Sequence, residues 1–273
     1  MVNTGYMCVC LFFLISCVAA AGCLGSGNSA DDLQTADMQK TLQVLSGKIV
    51  AELETTALDL INVAANLSPM SVSLDSAEAK TELETYYQEH PWAIDILEIN
   101  DRLRVVNAAP ASRETAIGSD MSGYTQDRES LRAGNMCMAA VFQLEEGITG
   151  SALSYPIPAE NGSVYEDSLD GVKGYVATSF LPAKLIDDAA SDVLAGSPYI
   201  IRVVQPDGTL IYDRDSYQLH RNVSRDLPPE VLITESGTLK NTARINETEK
   251  TRVVVWDTLA IGETAWRIVV LNF

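Results

Sequence analysis

The chain has 273 residues, of which 47% are hydrophobic and 21% are charged. This composition indicates a folded protein of one large domain or two modest ones, and it excludes wholesale disorder. The formal net charge is −18. Because an acidic surface repels phosphate backbones and anionic lipid headgroups, we expect no nucleic acid partner and no electrostatic attachment to a membrane surface.

The chain begins with an apolar run over residues 7–20, a length typical of a secretory signal peptide and short for a membrane span. Small residues then precede Cys23, and a Gly/Ser/Asn tether follows it. This pattern resembles the lipobox of secreted lipoproteins, and Cys17 stands in an earlier version of the same box. We expect a signal peptide over residues 1–22, a lipid on Cys23 and a tether over residues 23–31. The alternative is an uncleaved anchor helix, and both place the bulk of the chain on the extracellular side of the cell membrane.

Cysteine usage agrees with a secreted chain. Four of the five cysteines lie at or before residue 23. After cleavage Cys23 would carry the lipid, so Cys137 is the one remaining thiol and an internal disulfide is excluded. We expect Cys137 to be buried in a strand. Four Asn-x-Ser/Thr triplets add weak support for secretion. They begin at Asn66, Asn161, Asn222 and Asn246.

Two helices are predicted ahead of the first strands. Residues 32–67 carry apolar side chains in steps of three and four that form one stripe, and Pro69 ends the helix. The stripe predicts a stalk helix that packs along a sheet, with coiled-coil dimerisation as the alternative. A second helix over residues 76–89 is expected to be capped by Ser73 or Asp75. The stripe consists of Leu42, Leu45, Ile49, Leu53, Ala57, Ile61 and Ala64.

Five runs of alternating apolar and polar residues follow, and they predict one antiparallel sheet. A Gly/Ser/Asp-rich loop over residues 118–123 and a short polar helix over residues 127–133 interrupt them. A sheet whose face is partly covered by a loop forms a small pocket more readily than a catalytic centre. The runs are residues 92–100, 103–110, 136–144, 150–158 and 171–180.

A helix over residues 181–196, with Pro182 in its first turn, connects to a second and smaller sheet. The tripeptide Pro206-Asp207-Gly208 predicts a hairpin turn within residues 198–215. After it comes a polar section with a short helix over residues 229–235. Two final strands are predicted, over residues 252–261 and 263–273.

Several short segments occur in a fixed order: Ile99-Asn100-Asp101, then residues 118–122, 171–176, 179–182, 205–208 and 211–213, then Trp256 with residues 266–270. Together with the order of the elements, they resemble the double Cache family of extracellular sensor domains of receptors and histidine kinases. The resemblance covers residues 32–273 and is greatest to the type common in methanogenic archaea, here in lipoprotein form.

The resemblance implies an α+β fold with a long N-terminal stalk helix plus two PAS-like antiparallel-sheet subdomains. The stalk helix and the second helix would occupy residues 32–91. A membrane-distal, ligand-binding subdomain would occupy residues 92–190, and a smaller membrane-proximal subdomain residues 191–273.

A small ligand in the first sheet domain, held under the loop and helix of residues 118–133, is also implied by the resemblance. In amino-acid-binding members that helix carries an Arg for the ligand carboxylate and a Trp-Tyr pair, and a later Asp binds the amine. Here Arg128 stands at the Arg position, Ser130 and Leu131 replace the Trp-Tyr pair, and Thr178 or Ser179 falls at the Asp position. Because that set is incomplete, an α-amino acid is not the expected ligand.

Arg128 and Arg132 lie four residues apart and can face one side of the short helix. A guanidinium group matches a carboxylate through two parallel hydrogen bonds, so the pair predicts a clamp for a small organic anion. The alternative is that the two arginines pair with Asp127 and Glu129 at the surface.

Five further residues are candidates for the same pocket. Tyr124, Tyr155 and Tyr175 can line it with hydroxyl groups, although the tyrosines of an ordinary core fit the pattern equally well. Asp120 is a candidate ligand-binding residue whose alternative role is to cap the loop. Ser179 completes the set.

The sequence contains no recognisable catalytic pattern. Its two histidines, His90 and His220, lie in connecting segments, and no metal-ligand spacing, nucleophile elbow or phosphate-binding glycine loop occurs. Asp213 and Asp215 can bind a cation, but their position at a hairpin end favours solvation. We therefore expect no enzymatic activity and no cofactor.

The predicted function is an extracytoplasmic sensor that binds a small molecule. It would be tethered to the membrane and act as a co-receptor, passing its ligand state to a transmembrane partner in signal transduction or chemotaxis. A solute-capturing lipoprotein that feeds a transporter needs the same pocket and is the first alternative. A structural surface protein with solidly packed sheets is the second.

Overall fold

The structure, a computed structural model, describes residues 30–69, 72–124, 134–143, 149–159, 172–214, 221–245, 248–261 and 264–272. Over these residues the chain forms a long helix followed by two antiparallel sheets. The predicted fold class, one long N-terminal helix and two sheet units, is confirmed.

Helix α1 (Ala30–Leu67) has 38 residues and is about 57 Å long at 1.5 Å per residue. Its predicted apolar stripe is buried, with Ile61 partly buried, because the helix packs on both sheets. The stripe is therefore occupied by intrachain packing and is not available for a coiled coil. The helix ends two residues before Pro69, as predicted. Among the described residues, no helix combines the length and the hydropathy needed to cross a membrane.

Helix α2 (Ala77–Glu89) is capped by a residue other than the predicted ones. The Ser76 side chain accepts a hydrogen bond from the Ala79 N–H at 3.1 Å. Ser73 and Asp75 bond to each other instead, so the prediction that one of them caps the helix was wrong. Several polar residues precede this helix. Because the backbone of Ser76 is extended, its side chain is the one that reaches the N–H groups of the first turn.

The first sheet has the strand order β2-β1-β6-β5-β3, and β4 also pairs with β5. All of its strand pairs are antiparallel, and the predicted hairpin joins β1 to β2. Its strands are β1 (Ala93–Asn100), β2 (Val105–Ala109), β3 (Cys137–Met138), β4 (Phe142–Gln143), β5 (Thr149–Pro158) and β6 (Val172–Phe180).

The single strand predicted over residues 136–144 is broken into β3 and β4. Met138 and Phe142 lie four residues apart, but their partners on β5 lie three apart, so the ladder is interrupted between them. There the N–H of Val141 donates at 2.6 Å to the side chain of Gln205, which directly follows the strand Ile200–Val204 of the second sheet. This tertiary hydrogen bond replaces a strand that the local pattern favours. Cys137 is buried in β3, as predicted.

The first sheet has two faces with different partners. We call the face that packs on α1 and α2 the helix face, and the opposite one the outer face. Side chains alternate between them along each strand. Ile96, Val176 and Phe180 belong to the core shared with the helices. Ile99 and Tyr175, which pair across β1 and β6, belong to a separate cluster on the outer face.

The junction of α1, α2 and the first sheet is built from aromatic side chains. Trp92 is 1% exposed, and its ring meets Phe180 edge to face with 5.6 Å between centroids. Its indole N–H donates to Glu52 of α1 at 3.0 Å. The ring of His90 lies 4.2 Å from that of Tyr86 and 4.9 Å from that of Trp92. The junction therefore fixes α1 and α2 against the start of β1.

His90 makes the stability of this junction depend on pH. Burial lowers its pKa below the usual 6.5, against the raising effects of Asp59 and Glu52. As the pH falls below about 6.5, His90 is therefore protonated in the unfolded chain before it is protonated in the folded chain. The free energy of unfolding declines as a result. We expect His90→Gln to remove this decline in urea denaturation between about pH 7 and about pH 5. An imidazole titration midpoint at or above 6.5 by NMR would contradict this expectation.

The second sheet has the strand order β8-β7-β11-β10-β9 and is also antiparallel throughout. Helix α3 (Pro182–Gly196) leads into it, and the short helix α4 (Pro229–Ile233) precedes β9. Its strands are β7 (Ile200–Val204), β8 (Leu210–Asp213), β9 (Gly237–Ile245), β10 (Thr248–Ile261) and β11 (Thr264–Asn272).

The sequence analysis missed strand β9 and assigned its residues to a polar connecting section. It lies at the sheet edge, where it pairs with β10. Thr238 and Lys240 are exposed there, and Leu239 between them packs on the core of the sheet. An edge strand with so few apolar residues gives a weak alternating pattern, so sequence periodicity does not detect it.

Helix α1 also joins the two sheets. The Tyr199 hydroxyl, just before β7, donates to Asp37 at 2.5 Å, and Lys240 of β9 lies 3.2 Å from Asp31. A single apolar cluster contains side chains of α1, α3 and both sheets. The core of the protein is therefore continuous from the first sheet to the second.

Candidate functional site

The outer face of the first sheet carries an apolar cluster of its own. Cross-strand pairing places Leu97 beside Ala177 and Ile99 beside Tyr175, so these four side chains share one face. Ile99 is fully buried and Tyr175 is 5% exposed. The 3-10 turn Ala111–Ala116 and the loop after it pack on this cluster. The other members are Leu103, Val105, Ala116, Met121, Cys137 and Val172.

A group of polar side chains lies on the same face. Asp95 and Ser179 are cross-strand partners, and the Ser179 N–H donates to the Asp95 carboxylate at 3.3 Å. Arg113, from the turn after β2, places its Nε 3.6 Å from the other carboxylate oxygen. The Asp95 side chain is 13% exposed. A carboxylate, a guanidinium and a hydroxyl beside an apolar surface can hold the charged end of a small organic molecule.

The sequence analysis did not identify Asp95 or Arg113. Asp95 sits in an ordinary alternating strand, and Arg113 lies in a short polar turn. A signal was present, because a carboxylate at an outward position of a strand is unusual beside Leu97 and Ile99. Its pairing with Ser179 depends on the register of β1 and β6, which the local sequence does not contain.

The predicted residues on β5 and β6 fall on different faces. Ser179 lies on the outer face with Asp95. Thr178 is fully buried on the helix face, where its hydroxyl donates to the Asp95 backbone carbonyl at 2.9 Å. Tyr155 is in the helix-facing core, and burial raises the pKa of its hydroxyl. The structure therefore brings Ser179 and Tyr175 to the outer face and leaves Tyr155 away from them.

Asp120 is exposed at the opposite end of the β1–β2 hairpin from Asp95. Its carboxylate accepts a hydrogen bond from the Ser122 N–H at 2.9 Å and lies 3.4 Å from Arg104. The hydrogen bonds from Ser122 lower its pKa, with a smaller contribution from Arg104. These contacts are those of a loop cap, the alternative role predicted for this residue.

The remaining predicted site residues lie at or beyond the limits of the described chain. Tyr124 ends the short 3-10 turn Ser122–Tyr124, and its side chain is not among the described ones. Arg128, Arg132 and Cys23 lie outside the described residues. Within the described ranges, no group of three or more His, Cys, Asp or Glu side chains is placed to hold a metal ion.

Part of the sequence matches a known family. Residues 51–170 match the family model described as HK/GC/Chemotaxis protein-like, sensor domain. The matched residues run from the middle of α1 through α2 and past β5 of the first sheet, so they include the Asp95 and Arg113 site. A search of curated protein sequences gives no match.

Solved structures resemble the chain over most of its length. An extracellular ligand binding receptor from Desulfohalobium retbaense DSM5692 is 20% identical with a TM-score of 0.68, and the alignment covers 87% of this chain and 40% of that one. The chain therefore spans less than half the length of that receptor. The ligand-binding domain of the Pseudomonas aeruginosa PAO1 amino acid chemoreceptor PctC, in complex with GABA, is 13% identical with a TM-score of 0.60, covering 88% and 100%.

A third structure extends the likeness to another receptor. The ligand-binding domain of the Pseudomonas fluorescens chemoreceptor CtaA, in complex with L-alanine, is 12% identical with a TM-score of 0.60, covering 86% of this chain and 95% of that one. At such identities the likeness is one of fold. The chain has the Cache-type fold of extracellular sensor domains, in which a long N-terminal helix precedes two PAS-like antiparallel sheets.

Proposed function

We propose that the chain is an extracytoplasmic, non-catalytic sensor that binds a small organic molecule on the outer face of its first sheet. The observation that carries the proposal is the polar group of Asp95, Arg113 and Ser179 beside a separate apolar cluster. The sensor-domain family match and the fold shared with chemoreceptor ligand-binding domains support it.

The ligand that fits this group is a small molecule with a carboxylate and a hydrogen-bond donor. Arg113 can pair with the carboxylate. The clamp expected from Arg128 and Arg132 would bind the same charged group. Asp95 can accept hydrogen bonds from an amine or hydroxyl group of the ligand. The apolar part would rest on Leu97 and Ala177.

The proposal includes the cellular context expected from the N-terminal sequence. A lipid on Cys23 would tether the sensor outside the cell membrane, and a separate transmembrane partner would receive its ligand state for signal transduction or chemotaxis. The first sheet, in residues 92–190, would be membrane-distal, and the second, in residues 191–273, membrane-proximal. Globomycin-sensitive processing and labelling of Cys23 by a fatty acid would test the tether.

A thermal-shift screen of the purified protein tests the binding function. The library comprises small carboxylates, amines, amino acids and methylated compounds. A ligand at about a hundred times its dissociation constant adds roughly 2.7 kcal/mol to the free energy of unfolding, which is readily seen as a higher melting temperature. We expect at least one carboxylate to produce such a shift.

Variants then locate the ligand. Removing a hydrogen bond to a charged group costs about 1.5–3 kcal/mol, so Asp95→Asn and Arg113→Gln should each weaken binding about ten- to a hundredfold. Asp188→Asn makes the same change as Asp95→Asn on the exposed side of α3 and should leave the affinity unchanged. A screen without any shift, or an affinity that survives both site variants, would contradict the proposal.

A further inference from the structure

Glu98 is a buried carboxyl group on the helix face, away from the proposed ligand. It is 0% exposed, and neither of its carboxyl oxygens has a hydrogen-bond partner among the described residues. The amide of its cross-strand neighbour Asn107 is engaged elsewhere. Asn107 donates to the Ser76 carbonyl at 3.4 Å and accepts from the Ala108 N–H at 3.1 Å. An ionised carboxylate is therefore poorly solvated at this position.

Lys173 lies near Glu98 because of an irregularity in β6. The register of β5 and β6 skips Lys173, so its side chain reaches the helix side of the sheet. Its ammonium group donates to the carbonyls of Leu67 at 2.8 Å and Pro69 at 3.1 Å, and also to that of Val72. Lys173 thereby fastens the segment that connects α1 to α2.

Burial raises the pKa of Glu98 to about 8, although the charge of Lys173 lowers it and that of Asp75 raises it further. Glu98 therefore carries its proton at neutral pH. Asp75 belongs to the same connecting segment as Val72. Tyr86 of α2 also faces this side of the sheet, and burial raises the pKa of its hydroxyl. His90, with Asp59 and Glu52, forms the separate group at the far end of α2.

A surface depression gives water access to this region. It has a volume of about 420 Å³ and is lined by Lys173, Asp75 and Asn100 together with Val72, Ser73, Leu74 and Val106. Asn100, the next residue on the Glu98 side of β1, lines the depression, whereas Glu98 itself does not. Access to water lets the ammonium of Lys173 change partners without crossing an apolar core.

We propose that Glu98 is a proton-binding site that controls the connection between α1 and α2. With its proton bound, Glu98 leaves the Lys173 ammonium on the three carbonyls, and the connecting segment is fixed. When the O–H bond of Glu98 breaks and the proton passes to solvent, the carboxylate attracts the ammonium away from the carbonyls. Residues 67–69 and 72–76, the described parts of the connection, are then released. This gives the chain a response to external pH that is independent of the organic ligand on the outer face.

Hydrogen exchange at two pH values tests the proposal. Amide protection factors, which correct for the intrinsic effect of pH, are measured for residues 66–68 and 72–76 at about pH 6 and about pH 9, on either side of the pKa. We expect them to fall about tenfold or more in the wild-type protein at the higher pH. Glu98→Gln should keep the high values at both pH values, and Lys173→Met should show low values at both. Glu78→Gln, the same change at an exposed position of α2, should behave as the wild type.

A direct titration makes the test independent of how the variants fold. The carboxyl carbon of Glu98 is followed by NMR in the wild-type protein, and its signal is assigned by its loss in Glu98→Gln. A midpoint near 8 is expected. A midpoint in the ordinary range of glutamate, near 4.5, would overturn the proposal. So would protection factors in the wild type that are unchanged by pH.

Discussion

Replacing Gly174 by alanine is expected to unfold the chain or to lower its free energy of unfolding by several kcal/mol. A Cβ atom at Gly174 would lie 2.2 Å from the Ile99 carbonyl oxygen and 3.1 Å from the Asn100 Cα. Both are backbone atoms of β1, and Gly174 pairs directly with Asn100. Relief of the clash would require β1 and β6 to separate. Overpacking alone costs about 1–3 kcal/mol, and loss of the central strand pair adds to it.

Urea denaturation of Gly174→Ala measures this effect, with Gly47→Ala as the matched control. Gly47 lies in α1, and apart from the adjacent helix backbone no heavy atom is within 4 Å of the Cβ that alanine would add there. Alanine is the better helix former, so Gly47→Ala should raise the free energy of unfolding by about 0.5–1 kcal/mol. A value for Gly174→Ala within about 1 kcal/mol of the wild type would show that β1 and β6 do not approach this closely.

Truncating Trp92 to alanine is expected to lower the free energy of unfolding by about 3–5 kcal/mol. The residue is 1% exposed and packs edge to face on Phe180. Its removal leaves a cavity where α1, α2 and β1 meet. It also leaves the Glu52 carboxylate without the indole N–H that donates to it at 3.0 Å. The loss of packing and the loss of the hydrogen bond therefore act in the same direction.

A second substitution separates these two contributions. Trp92→Phe keeps an aromatic ring against Phe180 but removes the hydrogen bond to Glu52. A hydrogen bond to a charged partner contributes about 1.5–3 kcal/mol. Trp92→Phe should therefore lower the free energy of unfolding by more than this amount but by less than Trp92→Ala does. Thermal or urea denaturation of both variants, alone and with Glu52→Gln, gives the coupling energy by a double-mutant cycle. Equal losses for alanine and phenylalanine would show that packing on Phe180 contributes little.

The elements that the sequence predicts best are those whose signal is local. The stripe of α1 and the stop at Pro69 define that helix to within two residues at each end. The turn at Gly208 is equally local, because its φ of 88° requires a residue without a side chain. Strand β9 pairs with the next strand but has too few apolar residues to give a clear alternating pattern. The break between β3 and β4 depends on a distant partner, Gln205 for Val141, which local patterns do not contain.

In the candidate site, too, the sequence predicts what depends on local signals and misses what depends on strand pairing. The sequence indicates which strands form the first sheet, but the side that each residue faces depends on irregularities in register. A shift of one residue moves every following side chain to the opposite face. Tyr155 and Tyr175 are equivalent candidates in the sequence, yet the first lies in the helix-facing core and the second on the outer face. Asp95 joins Ser179 by strand pairing although the two residues are 84 positions apart in the chain.

Because α1 contributes side chains to the cores of both sheets, neither sheet has a complete core without it. A cut within α3, between the two sheets, would separate the second sheet from the helix that covers it. Trp266 and Ile268, both 0% exposed, would then face water. We therefore expect the two sheets to unfold as one cooperative unit. Because both sheets pack on α1, a displacement of one sheet that moves the helix would also move the surface on which the other sheet packs.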